Sequence, residues 1–141
     1  MNTVRPKTMV FAACIVVWGL VSCATGNVNI PMELSPAEII QRAQEASDRN
    51  RHNVALQYYE ALLERNPYRL DLVCAAEYEI AFIHYKQRNF TEARFGFHAL
   101  LERYEAPDGD QLPQQFRRLA TIVLERMDEI ENTRRPFARR R

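Results

Sequence analysis

The sequence predicts an all-α chain: an antiparallel stack of helix pairs, about five helices in two and a half copies of one repeat. Three observations carry that expectation. The pentapeptide Ala61-Leu62-Leu63-Glu64-Arg65 returns unchanged as Ala99-Leu100-Leu101-Glu102-Arg103, 38 residues on. At the same offset Ala43 pairs with Ala81, Ala55 with Ala93, and Tyr59 with Phe97. A fixed period between ~20 and ~50 residues marks units that each hide an apolar face against the next. Finally, no segment combines sustained two-residue alternation with turn signals, so no sheet is expected.

In chain order, the first segment reads as a targeting signal. Arg5 and Lys7 supply a positive start, and Met9 to Val21 supply 13 mostly apolar residues, too few to span a bilayer but right for a signal sequence. The segment ends Leu20-Val21-Ser22-Cys23, which resembles a bacterial lipobox. That resemblance implies cleavage before Cys23, so that residues 1–22 form a lipoprotein signal peptide and Cys23 carries a diacylglycerol. A single acyl chain anchors weakly, and two or more hold stably. Ala24, not Asp, follows the cysteine, which under enterobacteria-like sorting implies the outer membrane. Residues 23–34 then read as a lipidated tether, without helical periodicity and with Gly26, Asn27, Asn29 and Pro31.

Ser35-Pro36-Ala37-Glu38 opens the first helix. Ser35 caps, Pro36 suits the first turn because its missing N–H has no partner there, and Glu38 completes a capping box. This helix should run to about Asp48, and a turn over 50–53 leads into a second helix ending at Arg65 before Asn66-Pro67. A third starts near Leu70 and reaches Gln87. Arg88-Asn89 turn the chain, with Asn89 and Glu92 forming a second capping box for a helix to Tyr104. Residues 105–111, with Pro107 and Gly109, form a loop, and Pro113 opens a last helix to about Thr133. The repeat domain thus spans 35–133, and the aperiodic tail 134–141 is expected to be disordered.

Ala81, Ala93 and Phe97, with Asn89-Phe90-Thr91-Glu92-Ala93 between the helices, resemble the tetratricopeptide repeat. The upstream copy keeps Ala43, Ala55, Tyr59, Leu62 and Pro67, and Phe116-Arg117-Arg118-Leu119-Ala120 resembles the start of a third repeat. The resemblance implies that the small residues let paired helices approach and that the aromatics plug the gaps, which makes Ala43, Ala55, Tyr59, Ala81, Ala93 and Phe97 the packing positions. Arg88 stands where the family often has Gly, Glu77 where a large apolar residue is common, and the period exceeds the family's ~34. Together with the lipobox, the repeats look like the tetratricopeptide lipoproteins of the bacterial envelope, of which the BamD-type component of the outer-membrane assembly machinery is an example. What the resemblance implies is a non-enzymatic adaptor, lipid-anchored on the periplasmic face of the outer membrane, that binds protein partners of the envelope.

Charge and composition narrow the alternatives. Between residues 23 and 133 stand 12 basic and 18 acidic residues, a net of −6, and an acidic body argues against a nucleic-acid partner. Arg134, Arg135, Arg139, Arg140 and Arg141 make the tail basic, suited to anionic headgroups or to simple solvation. With Cys14 in the signal and Cys23 lipidated, Cys74 is the one candidate free thiol, and its apolar helical setting reads as core. His52, His84 and His98 show no metal spacing, and no phosphate loop or serine elbow occurs, so neither metal nor other cofactor is expected beyond the lipid on Cys23. Asn89-Phe90-Thr91 matches a glycosylation sequon, which the lipobox makes irrelevant. Glu77, Glu79, Glu92 and Glu102 read as solvent-side carboxylates.

The candidate partner-binding residues are Tyr78, Phe82 and Tyr85, whose spacing of four and three puts three rings on one helical face. By the resemblance, that face lines the groove where such repeats hold extended peptides. Equally, the rings are core against the last helix. Gln44 and Ser47 occupy the matching face of the first helix. The other function classes are a small-molecule-binding or enzymatic periplasmic lipoprotein, and a structural lipoprotein that self-associates through its repeats.

Overall fold

The computed structural model describes residues 26–138; residues 1–25, which include the expected signal segment and Cys23, and residues 139–141 lie outside it. Five α-helices follow one another: α1 Pro36–Asp48, α2 His52–Arg65, α3 Leu70–Lys86, α4 Phe90–Tyr104 and α5 Gln114–Ala138, with a short 3-10 turn at Gly109–Gln111 before α5. Among the described residues there is no strand. Each helix packs chiefly on its neighbours in sequence, α1 on α2, α2 on α3, α3 on α4 and α4 on α5, so the chain is a linear stack of helix pairs.

Local chemistry explains the starts and stops. Ser35 Oγ accepts from the Glu38 N–H and the Glu38 carboxylate accepts from the Ser35 N–H at 2.9 Å, a complete capping box with Pro36 in the first turn. Helix α4 differs from expectation: Asn89 sits at its N-cap without any side-chain cap bond. Its backbone is committed to ending the previous helix instead. The Arg88 N–H donates to the Tyr85 carbonyl and the Asn89 N–H to the His84 carbonyl, a Schellman closure with Arg88 in the left-handed region at φ 61°. The turn between α1 and α2 has the same build, with Asn50 at φ 57° and the Arg51 N–H on the Ala46 carbonyl. Asn50 and Arg88 are 38 residues apart, so the sequence period is also a period of backbone conformation.

Two cores result, and α3 is the wall between them. Ile39, Ala43, Ala46, Ala55, Tyr58, Tyr59 and Leu62 meet Ala76 and Ile83 of α3 on one side. Cys74, Tyr78 and Ala81 of the same helix meet Ala93, Phe97, Leu100, Tyr104, Ala120 and Met127 on the other. Ala43, Ala81 and Ala120, the small residues at equivalent places in α1, α3 and α5, have no exposed surface at all. Close approach is tightest at Gly96, where an added Cβ would lie 2.9 Å from that of Ala81. Ion pairs clip the edges: Arg103 chelates Glu77 at 2.7 and 2.6 Å, joining α4 to α3, and Arg94 reaches Asp128 at 2.7 Å on α5.

Two expectations need correction. Residues 26–34 are no free tether but a strap lying along α2. The Val28 N–H donates to Gln57 Oε1 at 2.7 Å, and the Arg65 guanidinium donates to the carbonyls of Ile30 and Pro31 at 2.8 and 2.9 Å. Val28, Ile30 and Leu34 meanwhile pack on the first core. Helix α5, second, runs to Ala138 instead of stopping near Thr133. Thr133 Oγ1 donates to the Glu129 carbonyl within this helix.

Candidate functional site

The structure divides the aromatic stripe. Tyr78 is 7% exposed and sits in the second core, its ring 5.7 Å from Phe97 and 5.8 Å from Phe116 of α5. Phe82 and Tyr85 are half-buried. The rings form a ladder, Tyr78 to Phe82 at 5.7 Å, Phe82 to Tyr85 at 5.7 Å and Tyr85 to Phe90 at 5.9 Å, so the stripe begins inside the protein and emerges from it. The core reading holds for Tyr78, while Phe82 and Tyr85 keep part of their surface open. Ala43, Ala55, Tyr59, Ala81, Ala93 and Phe97 all lie buried.

Where Phe82 emerges, α1 and α3 part to leave a hollow of about 290 Å³. Gln44, Ser47 and Asp48 form its α1 side, Glu79, Phe82 and Lys86 its α3 side, and Tyr59 of α2 its floor. Lys86 Nζ donates to Ser47 Oγ across the gap and stands 5.6 Å from the centre of the Phe82 ring. The spacing 79, 82, 86 keeps all three α3 residues on one face. Glu79 is not on the solvent side as its position in the sequence suggests: it is half-buried, and burial raises its pKa, with Lys86 opposing and Asp48 adding to the rise. Tyr59 is 1% exposed, and its hydroxyl has no hydrogen-bond partner. Burial, with the charges of Glu79 and Asp48 behind it, raises the pKa of that hydroxyl and keeps it protonated.

A second hollow of about 170 Å³ lies between α3, α4 and α5, lined by Tyr85, Lys86, Arg88, Phe90 and Ile130. Lys86 walls both hollows, which therefore adjoin across the face of α3. Elsewhere, the strap and the facing ends of α1 and α2 bound a cleft of about 500 Å³ beside Met32, Ile39 and Arg65. On the opposite side of α3, Ile80, His84 and Gly96 line an apolar hollow of about 320 Å³ beside Phe95, which is 78% exposed.

Of the remaining sequence candidates, Cys74 is buried in the second core, where burial raises its pKa. His98 is exposed, while His52 and His84 each hold a buried Nδ1 without a partner. Among the described residues no cluster of His, Cys, Asp and Glu could hold a metal ion, and no helix is long and apolar enough to cross a membrane. Cys23 falls outside the described residues.

Sequence reasoning placed Phe82, Gln44 and Ser47 on the faces that meet, and missed Tyr59, Asp48, Glu79 and Lys86 as parts of one hollow. The 79, 82, 86 spacing carried a signal for the last two, and Lys86 is the sole lysine after the signal segment. Nothing local marks Tyr59, which reaches the hollow from beneath.

Comparison with known proteins finds a relative in Treponema pallidum (strain Nichols), described as an uncharacterized protein. It is 32% identical over 117 residues, covering 82% of this chain and 47% of that protein, so the chain spans about half the length of the curated relative it matches. No family model matches the chain, and no solved structure matches it.

Proposed function

We propose that this chain is a membrane-tethered bacterial lipoprotein that acts as a non-enzymatic adaptor, holding an extended segment of an envelope protein across α1 and α3 of a tetratricopeptide-like stack. The observation that supports this most is the pair of adjoining hollows around Lys86, with Phe82 and Tyr85 half-buried between them. Half-buried aromatics beside charged groups are the usual anchors of protein interfaces. The Cys23 motif supplies the anchor, and the periplasmic face of the outer membrane is the proposed site of action. Docking of the strap from residue 26 onward leaves only residues 24 and 25 between the lipid and the folded body, which holds the stack close to the bilayer.

Crosslinking in native membranes tests the reading. The full chain should capture a defined envelope protein, and Cys23→Ser should reduce the yield. Phe82→Ala and Tyr85→Ala should each reduce it further while the far-UV circular dichroism stays helical. Undiminished capture by both aromatic variants overturns the assignment to this face. Recovery of the chain crosslinked only to itself favours instead self-association, for which exposed Phe95 beside its apolar hollow is the structural support.

A further inference from the structure

We propose that the hollow between α1 and α3 is a subsite for an arginine side chain carried by the bound segment. The inference deepens the adaptor reading and rests on it. Its starting point is Tyr59, which lines the hollow and whose hydroxyl, recessed inside the protein near the charges of Glu79 and Asp48, bonds to nothing. A buried hydroxyl without a partner is costly, and such groups are rare in folded proteins unless something else completes them.

The charges say what kind of group that is. Asp48 and Glu79 face Lys86, so the hollow holds one net negative charge. Lys86 is already engaged, with its ammonium on Ser47 Oγ and over the Phe82 ring, and does not reach Tyr59 in any recorded bond. The surroundings agree in sign, since residues 23–133 carry a net of −6. An acidic side chain entering here would meet two carboxylates, whereas a cation is attracted by the net charge.

Geometry selects among cations. A guanidinium offers five N–H donors in a planar fork: two can engage the Glu79 carboxylate in parallel, and others can reach the Tyr59 oxygen and the Gln44 carbonyl. An ammonium is a compact point charge and cannot serve a carboxylate and the recessed phenol from one position as well as a fork does. The volume of about 290 Å³ takes one such side chain with its flanking backbone outside.

The test is an NMR titration of the full 15N-labelled chain in detergent micelles with acetyl-Gly-Arg-Gly-amide. Its citrulline counterpart keeps the shape and loses the charge. The arginine peptide should shift amides of Ser47, Asp48, Glu79 and Phe82 and bind about tenfold more tightly than the citrulline peptide. Glu79→Gln should erase that preference, and Tyr59→Phe, which keeps the ring in the core, should weaken arginine binding about threefold. The lysine peptide should fall between arginine and citrulline. Equal binding of arginine and citrulline peptides at these amides overturns the subsite while leaving the face as a peptide track. Arginine binding unchanged in Glu79→Gln, or no shift at these amides, also overturns the subsite, and neither result touches the crosslinking evidence on which the adaptor reading stands or falls.

Discussion

Single residues in the α1/α3 hollow cost the fold some of its stability. The Tyr59 hydroxyl is desolvated without compensation, so Tyr59→Phe should raise the stability of the free protein by about 1 kcal/mol. Urea denaturation should show a higher midpoint with an unchanged m-value, and a lower midpoint would mean that the hydroxyl is satisfied in solution. Glu79 acts in the same direction. Its folded-state pKa lies above the unfolded one because burial disfavours the carboxylate, so the folded chain holds the proton more tightly. Its contribution is best when protonated and declines as pH rises from the ordinary carboxylate range through the raised folded value. Glu79→Gln should therefore raise Tm at pH 7, and the gain should vanish below about pH 4. Burial sets most of the effect, with Lys86 opposing it and Asp48 adding to it, and a fall in Tm at pH 7 would show that the Lys86 attraction wins. Arg88 presents a backbone cost of its own. At φ 61° a side chain pays about 1 kcal/mol that Gly does not, so Arg88→Gly should be neutral to stabilising by up to about 1 kcal/mol despite the added freedom of the unfolded chain.

At the scale of elements, the strap and α3 decide most. Among the described residues the strap has no backbone pairing with another segment, and its attachment comes from Gln57, Arg65 and three half-buried apolar residues. Arg65→Ala removes two charge-assisted hydrogen bonds and should cost about 1–2 kcal/mol, since the site is partly open to water. Limited proteolysis should then cut within residues 26–34 while α3 to α5 stay intact. Resistance equal to wild type would show that Val28, Ile30 and Leu34 hold the strap alone. The ion pairs that clip α3 to α4 and α4 to α5 are partly solvent-exposed and contribute little beside the buried rings.

At the scale of the whole molecule, the stack is close to one-dimensional: α1 and α2 meet α4 and α5 chiefly through α3. Stability should therefore be a sum of nearest-neighbour terms that can fail from one end. Met127 is fully buried in the second core, and Met127→Ala should cost about 2–5 kcal/mol. Amide hydrogen exchange should accelerate first in α4 and α5 and leave α1 and α2 protected. Equal acceleration in all five helices would mean that α3 couples the two cores into one unit.

By itself the sequence determined what is local or periodic. The Ser35–Glu38 box, the breaks at Asn66-Pro67 and Arg88, and the helices between them follow from side chains a few residues apart, which is why their bounds were legible. The repeat was legible because identical residues recur at one offset, and a buried small residue must recur wherever the same helix contact is made. The tertiary structure alone decided the rest. Ring spacing places Tyr78, Phe82 and Tyr85 on one face, but only Phe116, arriving from α5, turns the first into core, and only the gap left by α1 keeps the second half-open. Val28, Ile30 and Leu34 alternate weakly, yet what makes them a strap is Arg65, more than thirty residues away. The Asn89 cap failed because its backbone was already used to close α3. Tyr59 enters the hollow from a third helix, and its missing partner has no counterpart in any pattern of letters. Distances along the chain govern caps and turns; convergence of separate helices governs sites.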